Sequence, residues 1–426
     1  MISKDYKLVK WVSSMKILQV YQIFNPTVAS GAAKVMYDIS KELVKRGHRV
    51  VVCASDMKDK YTRGKCDHKI IDGIAVHRFK TIWPLLARKF KIYMTPSLIA
   101  ISGDYLRKFD VVHLHGYRSF QSVVIHHYAK KYGVPYVLQA HGSLPRIMAK
   151  QRLKWIYDVF FGYRLLRDAS KVIALSQTEA QQYRVMGVPE RKIEIIPNGI
   201  DLSEYADLPS KGAFKKKFNI EEDEKIILYL GRIHRIKGID VLVKAFADVV
   251  EKLDDVRLVV VGPDDGYLGE LKALVKALRM EDNVLITGPL YGEDKLEAYV
   301  DADVYVLPSR YEIWGMTVLE AYACGKPVIA SNVYGLRDLV IDGVTGFLVE
   351  QGNVKQMAHS ILSLIDDDGR AEEMSLKGKQ FVKENFTIEE VVHRIENLYR
   401  DVVSSQSAIK AIQTIKNAQY KSSYST

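Results

Sequence analysis

Short apolar runs recur along the chain. Each is followed by a turn-rich stretch and then by a segment whose apolar residues fall at helical spacing. Residues 15–20 (MKILQV), 48–54 (HRVVVCA), 110–115 (DVVHLH), 135–141 (PYVLQAH), 171–176 (KVIALS) and 193–196 (IEII) read as a first set of buried strands. Residues 32–46 carry helical spacing, and Gly47 is placed to close that helix. Strand, loop, helix and strand in this order form a βαβ unit, which predicts a parallel sheet. Past the Pro197-Asn198-Gly199 turn the chain becomes polar and irregular, so a domain boundary is expected within residues 202–212. A second set of strands is predicted at 225–230, 256–262, 283–288, 302–307, 326–331 and 346–349. Residues 386–403 have the spacing of a long amphipathic helix. Residues 404–426, rich in Ser, Gln and Lys and without an acidic residue, are expected to form a flexible tail. The predicted fold class is α/β, with two Rossmann-like, doubly wound domains at residues 1–205 and 206–385.

Composition changes this picture in two places. At 426 residues, with 27% charged and 48% hydrophobic residues, the chain can bury two ordinary cores. Cys53, Cys66 and Cys324 show neither metal nor disulfide spacing, which points to a reducing compartment. No apolar run is long enough for a membrane span and the first residues lack a signal-peptide apolar region, so a cytoplasmic location is expected. The net charge of +11 divides unevenly, +18 on residues 1–205 and −7 on the remainder. A basic half suggests an acidic partner surface. With no zinc finger, RNP sequence or helix-turn-helix in view, an anionic membrane or acceptor is expected rather than nucleic acid. Residues 83–101 mix aromatics with Arg88, Lys89 and Lys91. Residues 146–171 (RIMAKQRLKWIYDVFFGYRLLRDASK) place seven Lys/Arg against two Asp, with Trp155, Ile156, Phe160, Tyr163 and Leu166 on one broad face. That face fits a membrane interface. It fits equally a helix packed on its own sheet.

The densest chemistry lies in residues 308–325 (PSRYEIWGMTVLEAYACG). A strand runs in and a helix, about residues 317–323, runs out. Ligands of open α/β sheets bind beyond the carboxyl ends of strands, where helices begin. The N–H groups of Gly315, Met316 and Thr317 open the helix and suit phosphate or sugar oxygens. Glu312 in the loop and Glu320 on the helix accept hydrogen bonds when ionised, as sugar hydroxyls require. Two such carboxylates taken alone fit a solvated surface as well. After the strand at 225–230, Gly231 permits close backbone approach. Arg232 and Lys237 fit a diphosphate, the guanidinium gripping two oxygens and the ammonium acting as a mobile charge. His113, His115 and His141 lie at or near predicted strand ends.

The run PSRYE-x-x-G-x-x-x-LEA-x-A-x-GKPVIAS resembles the Glu-x7-Glu signature of retaining glycosyltransferases of family 4, which have the GT-B fold. LGRIHRIKG (residues 230–238) resembles that family's donor-phosphate motif, and DGVTGFLVEQGN (residues 342–353) its closing strand and turn. The likeness extends from about residue 15 to residue 403. It implies two domains facing across a cleft, with the helix at 386–403 crossing back onto the first. It also implies roles: Glu312 on the donor sugar, Glu320 on the ribose, the amides of 315–317 on sugar hydroxyls, and Gly231, Arg232 and Lys237 at the diphosphate. His141, in HGS, matches a histidine that the family places beside the donor sugar. The family's first loop carries Gly-Gly near the diphosphate; here the pair is Ser30-Gly31, so the resemblance carries Gly31 alone.

The activity so implied is hexosyl transfer from a nucleotide-diphosphate sugar, and the charge asymmetry points to a glycan or lipid-linked acceptor. Transfer proceeds with retention and with neither metal nor cofactor, in the cytoplasm or on the cytoplasmic face of a membrane. The alternative is a nucleotide-sugar 2-epimerase, which shares the two-domain architecture but lacks the Glu-x7-Glu context and needs a base at the sugar carbon.

Overall fold

Strands buried on both sides need helices on both faces, and the apolar runs pair into two such sheets. The computed structural model describes residues 14–25, 31–58, 62–85, 87, 92–147 and 150–422. Ser30, Arg88, Lys89 and Lys91 lie outside the described residues. The first sheet holds β1 (Lys16–Val20), β2 (Arg49–Ser55), β3 (His68–Ile71), β4 (Ile74–Phe79), β5 (Val111–His115), β6 (Tyr136–Gln139), β7 (Lys171–Ala174) and β8 (Ile193–Ile195). Its order is β3-β4-β2-β1-β5-β6-β7-β8. Every neighbour is parallel except β3 and β4, an antiparallel edge hairpin turning on Asp72-Gly73.

The second sheet holds β9 (Lys225–Leu230), β10 (Val256–Val261), β11 (Val284–Gly288), β12 (Val304–Leu307), β13 (Val328–Ser331) and β14 (Gly346–Val349), in the order β11-β10-β9-β12-β13-β14. It is parallel throughout. In both sheets the order reverses beside the first strand, between β1 and β5 and between β9 and β12. A crevice opens at each such switch point.

The helix Ala32–Lys45 buries Val35, Met36, Ile39 and Leu43 against the first sheet. It closes where the amide of His48 reaches the Leu43 carbonyl at 3.1 Å across Gly47, whose φ is 88°. The last helix, Ile388–Ser422, continues well past residue 403, where the apolar spacing placed its end. No Gly or Pro interrupts it, so helical propagation runs on after its core contacts cease. Ile388, Val391, Val392, Ile395, Leu398, Tyr399 and Val402 lie in the core of the first domain beside Val35 and Ile39. The chain thus crosses between domains twice, and the crossings touch: Ile200 and Ile388 exchange backbone bonds of 2.8 and 3.0 Å with the Phe386 and Ile200 carbonyls.

Candidate active site

A cleft of about 1250 Å³ lies between the two switch points. Gly31 and Lys34, at the start of the first helix, form part of one wall; Gly231, Arg232, Met316, Thr317 and Glu320 form the other.

The second-domain wall is built by two loops pressed together. Gly238 follows the turn Arg235–Lys237 with φ 66°, and a Cβ there would lie 2.0 Å from the Pro308 carbonyl oxygen. The amide of Arg310 donates to the Ile236 carbonyl at 2.8 Å, and its guanidinium grips both Asp240 oxygens at 2.7 Å. This clamp brings the Lys237 ammonium onto the Glu312 carboxylate as a largely buried ion pair. Arg232, half exposed, pairs with Asp265. Gly262 has no side chain to block the Gly231 carbonyl, which a Cβ would approach to 1.8 Å.

Gly315 precedes the helix Met316–Ala323, and the amides of Gly315, Met316 and Thr317 donate to no group among the described residues. One Glu320 oxygen meets the Lys295 ammonium at 3.1 Å, and the other accepts from the Tyr299 hydroxyl at 3.1 Å. Tyr305 donates to the Thr317 hydroxyl at 2.6 Å. The helix start is therefore fixed from below, with its amides left for a ligand.

His141 reaches this region from the first domain. It does not end a strand, as its apolar context suggested. β6 stops at Gln139, and His141 occupies a turn with φ 51°, which turns the chain out of the sheet. Glu179 makes that turn possible. Its buried carboxylate accepts from the Gly142 amide at 2.6 Å and the Leu175 amide at 2.8 Å. Burial outweighs these two bonds and pushes the Glu179 carboxyl up to about 7. Tyr311 donates to the Gly142 carbonyl at 3.4 Å, and Ile313 would meet a Cβ on Gly142 at 3.0 Å. The His141–Gly142 turn is thus against the loop that carries Glu312. His141 Nε2 lies 3.0 Å from His115 Nδ1, and burial holds the His141 imidazole down to about 3.

Arg232, Met316, Thr317 and Glu320 therefore line the cleft opposite Gly31, while Lys237 and Glu312 pair on the adjoining loops and the His141–Gly142 turn meets the loop of Glu312 through Tyr311 and Ile313. Sequence reasoning missed Glu179, Lys295 and Tyr311. Glu179 sits three residues after the helix cap Ser176 and reads as an ordinary capping-box residue. Two Asp-x-Asp triplets belong to the scaffold. Asp301 accepts from the Gly212 and Lys215 amides and Asp303 from the Ile226 amide, while Asp367 of the second triplet caps the helix Asp368–Asn385.

The basic stretch at 146–171 turns only part of its apolar face inward. Its helices Gln151–Tyr157 and Tyr163–Asp168 flank a π-helical turn, Asp158–Gly162. Asp158, Gly162, Leu165 and Leu166 are buried, and Asp158 binds Arg118 and Arg146 at 2.8 Å. Trp155, at 53% exposure, and Phe160, at 63%, face solvent with Leu153, Ile156 and Phe161. Of the five residues of the apolar face, Leu166 packs in the core of the first domain, and Trp155, Ile156, Phe160 and Tyr163 are exposed. No helix among the described residues is long and apolar enough to cross a membrane.

Two family models match the chain, Glycosyltransferase Family 4 over residues 29–204 and Glycosyl transferases group 1 over residues 210–381. An uncharacterized glycosyltransferase of Methanocaldococcus jannaschii is 27% identical over 91% of this chain and 98% of its own length. The N-acetyl-alpha-D-glucosaminyl L-malate synthase of Bacillus anthracis is 25% identical over 88% of this chain and 94% of its own length. Among solved structures, Anabaena HepE in complex with UDP and glucose superposes with a TM-score of 0.74 at 22% identity, covering 91% of this chain and 100% of that one. Sucrose-phosphate synthase from Thermosynechococcus elongatus gives a TM-score of 0.74 at 23% identity, covering 92% and 100%. Both likenesses are of fold.

Proposed function

The chain belongs to glycosyltransferase family 4 and has the GT-B fold, and from that premise we propose that it moves a hexosyl unit from a nucleotide-diphosphate sugar to a glycan or lipid-linked acceptor, with retention and without a metal ion. The observation that carries this reading is that Arg232 and Glu320 line the cleft beside the start of the helix Met316–Ala323, with the Lys237–Glu312 ion pair held on the two loops that adjoin it. Arg232, Lys237 and the helix amides stabilise the charge that grows on the departing diphosphate. Glu312 holds the sugar, Glu320 the ribose and Gly31 the near side of the diphosphate. His141 contacts the sugar from the first domain. The bond from the anomeric carbon to the diphosphate oxygen breaks, and the bond to the acceptor oxygen forms on the same face. The acceptor's proton passes to the diphosphate oxygen. Closure of the two domains excludes water that would otherwise hydrolyse the donor.

The exposed aromatics of residues 151–163, beside Arg152, Lys154 and Arg164, support a further element of this reading. The basic domain rests on the anionic, cytoplasmic face of a membrane, where a lipid-linked acceptor would be presented.

A thermal-shift screen against UDP-, GDP- and ADP-sugars tests the donor assignment, since a ligand bound only by the native state raises its melting temperature. One nucleotide series is expected to give a shift of several degrees. The anomeric configuration of the product, read by NMR, tests retention. No shift with any of the three, or an inverted product, would overturn the respective claim.

A further inference from the structure

A continuous chain of side chains connects His141 to the last helix. His141 Nε2 lies 3.0 Å from His115 Nδ1, and His115 Nε2 lies 2.7 Å from the Gln19 carbonyl oxygen. The Gln19 amide nitrogen donates to the Tyr399 hydroxyl at 3.3 Å, and that hydroxyl lies 2.6 Å from His113 Nδ1. Gln19, His113, His115 and Tyr399 are completely buried. Their register follows from the sheet, where Gln19 of β1 pairs with His113 of β5 and His115 with Gln139 of β6.

Donor and acceptor counting gives this chain a direction. An amide oxygen only accepts, so His115 Nε2 carries a proton. A neutral His115 then offers Nδ1 as a lone pair, and His141 Nε2 must donate to it. At the far end the Tyr399 hydroxyl accepts from Gln19 and is left to donate to His113 Nδ1. His141 Nδ1 remains as a lone pair with no protein partner among the described residues. Burial keeps all three imidazoles from charging, His113 and His141 down to about 3 and His115 well below the ordinary 6.5.

We propose that Tyr399, carried back onto the first domain by the last helix, is a positioning residue that anchors the Gln19 amide and thereby fixes His141 as its Nε2–H tautomer, with Nδ1 presented as a hydrogen-bond acceptor. The donor sugar would then offer His141 a hydroxyl, and a ligand group that can only accept would be rejected there. This rests on His141 meeting the sugar, the reading given above. In Tyr399→Phe the ring still fills its place but Gln19 loses its anchor, so its amide can turn over and reverse every bond in the chain.

The test is long-range 1H–15N correlation of the full chain labelled at histidine, with the His141 signals assigned through His141→Asn. Wild type is expected to show a single Nε2–H tautomer at His141 from pH 5 to 8. Tyr399→Phe and Gln19→Leu are expected to show mixed or reversed tautomers. In the transfer assay Tyr399→Phe is expected to lower kcat five- to fifty-fold with the melting temperature of Gln19→Leu or higher, and to change KM for the donor by less than threefold. A His141 that is Nδ1–H in wild type, or that keeps its tautomer in both variants, overturns the proposal. Full activity of His141→Asn would instead overturn the role given to His141 in transfer, and the spectra would still decide the tautomer.

Discussion

Lys237 and Glu312 stand 75 residues apart in the chain and neutralise each other where the loops after β9 and β12 touch. In the proposed reaction Lys237 serves the diphosphate and Glu312 the sugar, so donor binding would exchange one set of partners for another. Lys237→Ala and Glu312→Ala are each expected to lower kcat by about a hundredfold or more, as loss of a transition-state charge partner does. The exchanged pair, Lys237→Glu with Glu312→Lys, restores the ion pair and is expected to restore melting temperature but not transfer. Recovery of activity in the exchanged protein would make the pair structural.

The close approach of those two loops depends on residue 238. Gly238 has φ 66°, and its missing side chain faces the Pro308 carbonyl. Gly238→Ala must displace backbone, which no rotamer change relieves, and a cost of about 3 kcal/mol or more is expected in urea denaturation. Gly266→Ala offers a control at φ 94°, with nothing within 4 Å of its Cβ, and is expected to cost only the backbone strain, about 1 kcal/mol.

Much of this architecture was legible in the chain. Apolar runs such as KIILYL and VRLVVV mark strands buried on both faces, and their alternation with helical stretches specifies a parallel sheet. The residues about the second-domain switch point were legible because Arg232, Lys237, Glu312 and Glu320 sit in short motifs beside strand ends. The hairpin of β3 and β4 went unseen although Asp72-Gly73 is a strong hairpin signal, because β3 is largely exposed and lacks alternation. Glu179 and the chain from His141 to Tyr399 could not be read either. They depend on which strands become neighbours and on where a helix 380 residues after Gln19 packs. Pattern along the sequence carries no such information.

Buried histidines give the protein an acid-sensitive stability. The folded values of His113 and His141, about 3, lie below the ordinary 6.5, and burial also holds His115 well below it. Below pH 6.5 the unfolded chain therefore binds protons that the native state refuses, and stability falls as pH drops, by about 1.4 kcal/mol per unit for each histidine. Glu179 acts in the opposite sense. Its folded value of about 7 exceeds the ordinary 4.5, so between these values the native state holds a proton that the unfolded chain releases. Glu179→Gln is thus expected to steepen the loss of stability from pH 7 to 5, and His113→Gln to make it shallower. Urea midpoints across that range give both slopes, and parallel curves for wild type and the two variants would contradict the assignment.

The exposed apolar face of residues 151–163 gives the last prediction. Asp158 anchors this segment through Arg118, whose guanidinium also donates to the Leu144 carbonyl at 2.8 Å, so its position does not depend on its outward aromatics. A second exposed apolar segment, Trp83 and Leu85, precedes Tyr93, whose carbonyl accepts from Gln121 at 2.8 Å. Tyr157 donates to the Tyr117 carbonyl at 3.0 Å. Tyr157 thus ties its segment to the loop after β5, and Tyr93 is tied to the helix Phe120–Tyr132 that follows that loop. Burying an aromatic side chain of this size in a bilayer interface is worth about 1.5–3 kcal/mol. Trp155→Ser with Phe160→Ser is expected to lower flotation with vesicles containing anionic lipid at least tenfold, while leaving melting temperature and transfer to a water-soluble acceptor analogue unchanged. Raising salt should weaken wild-type binding, because Arg152, Lys154 and Arg164 act through charges screened over about 8 Å at physiological ionic strength. Wild-type protein that fails to float with anionic vesicles even at low salt would remove the membrane from the account.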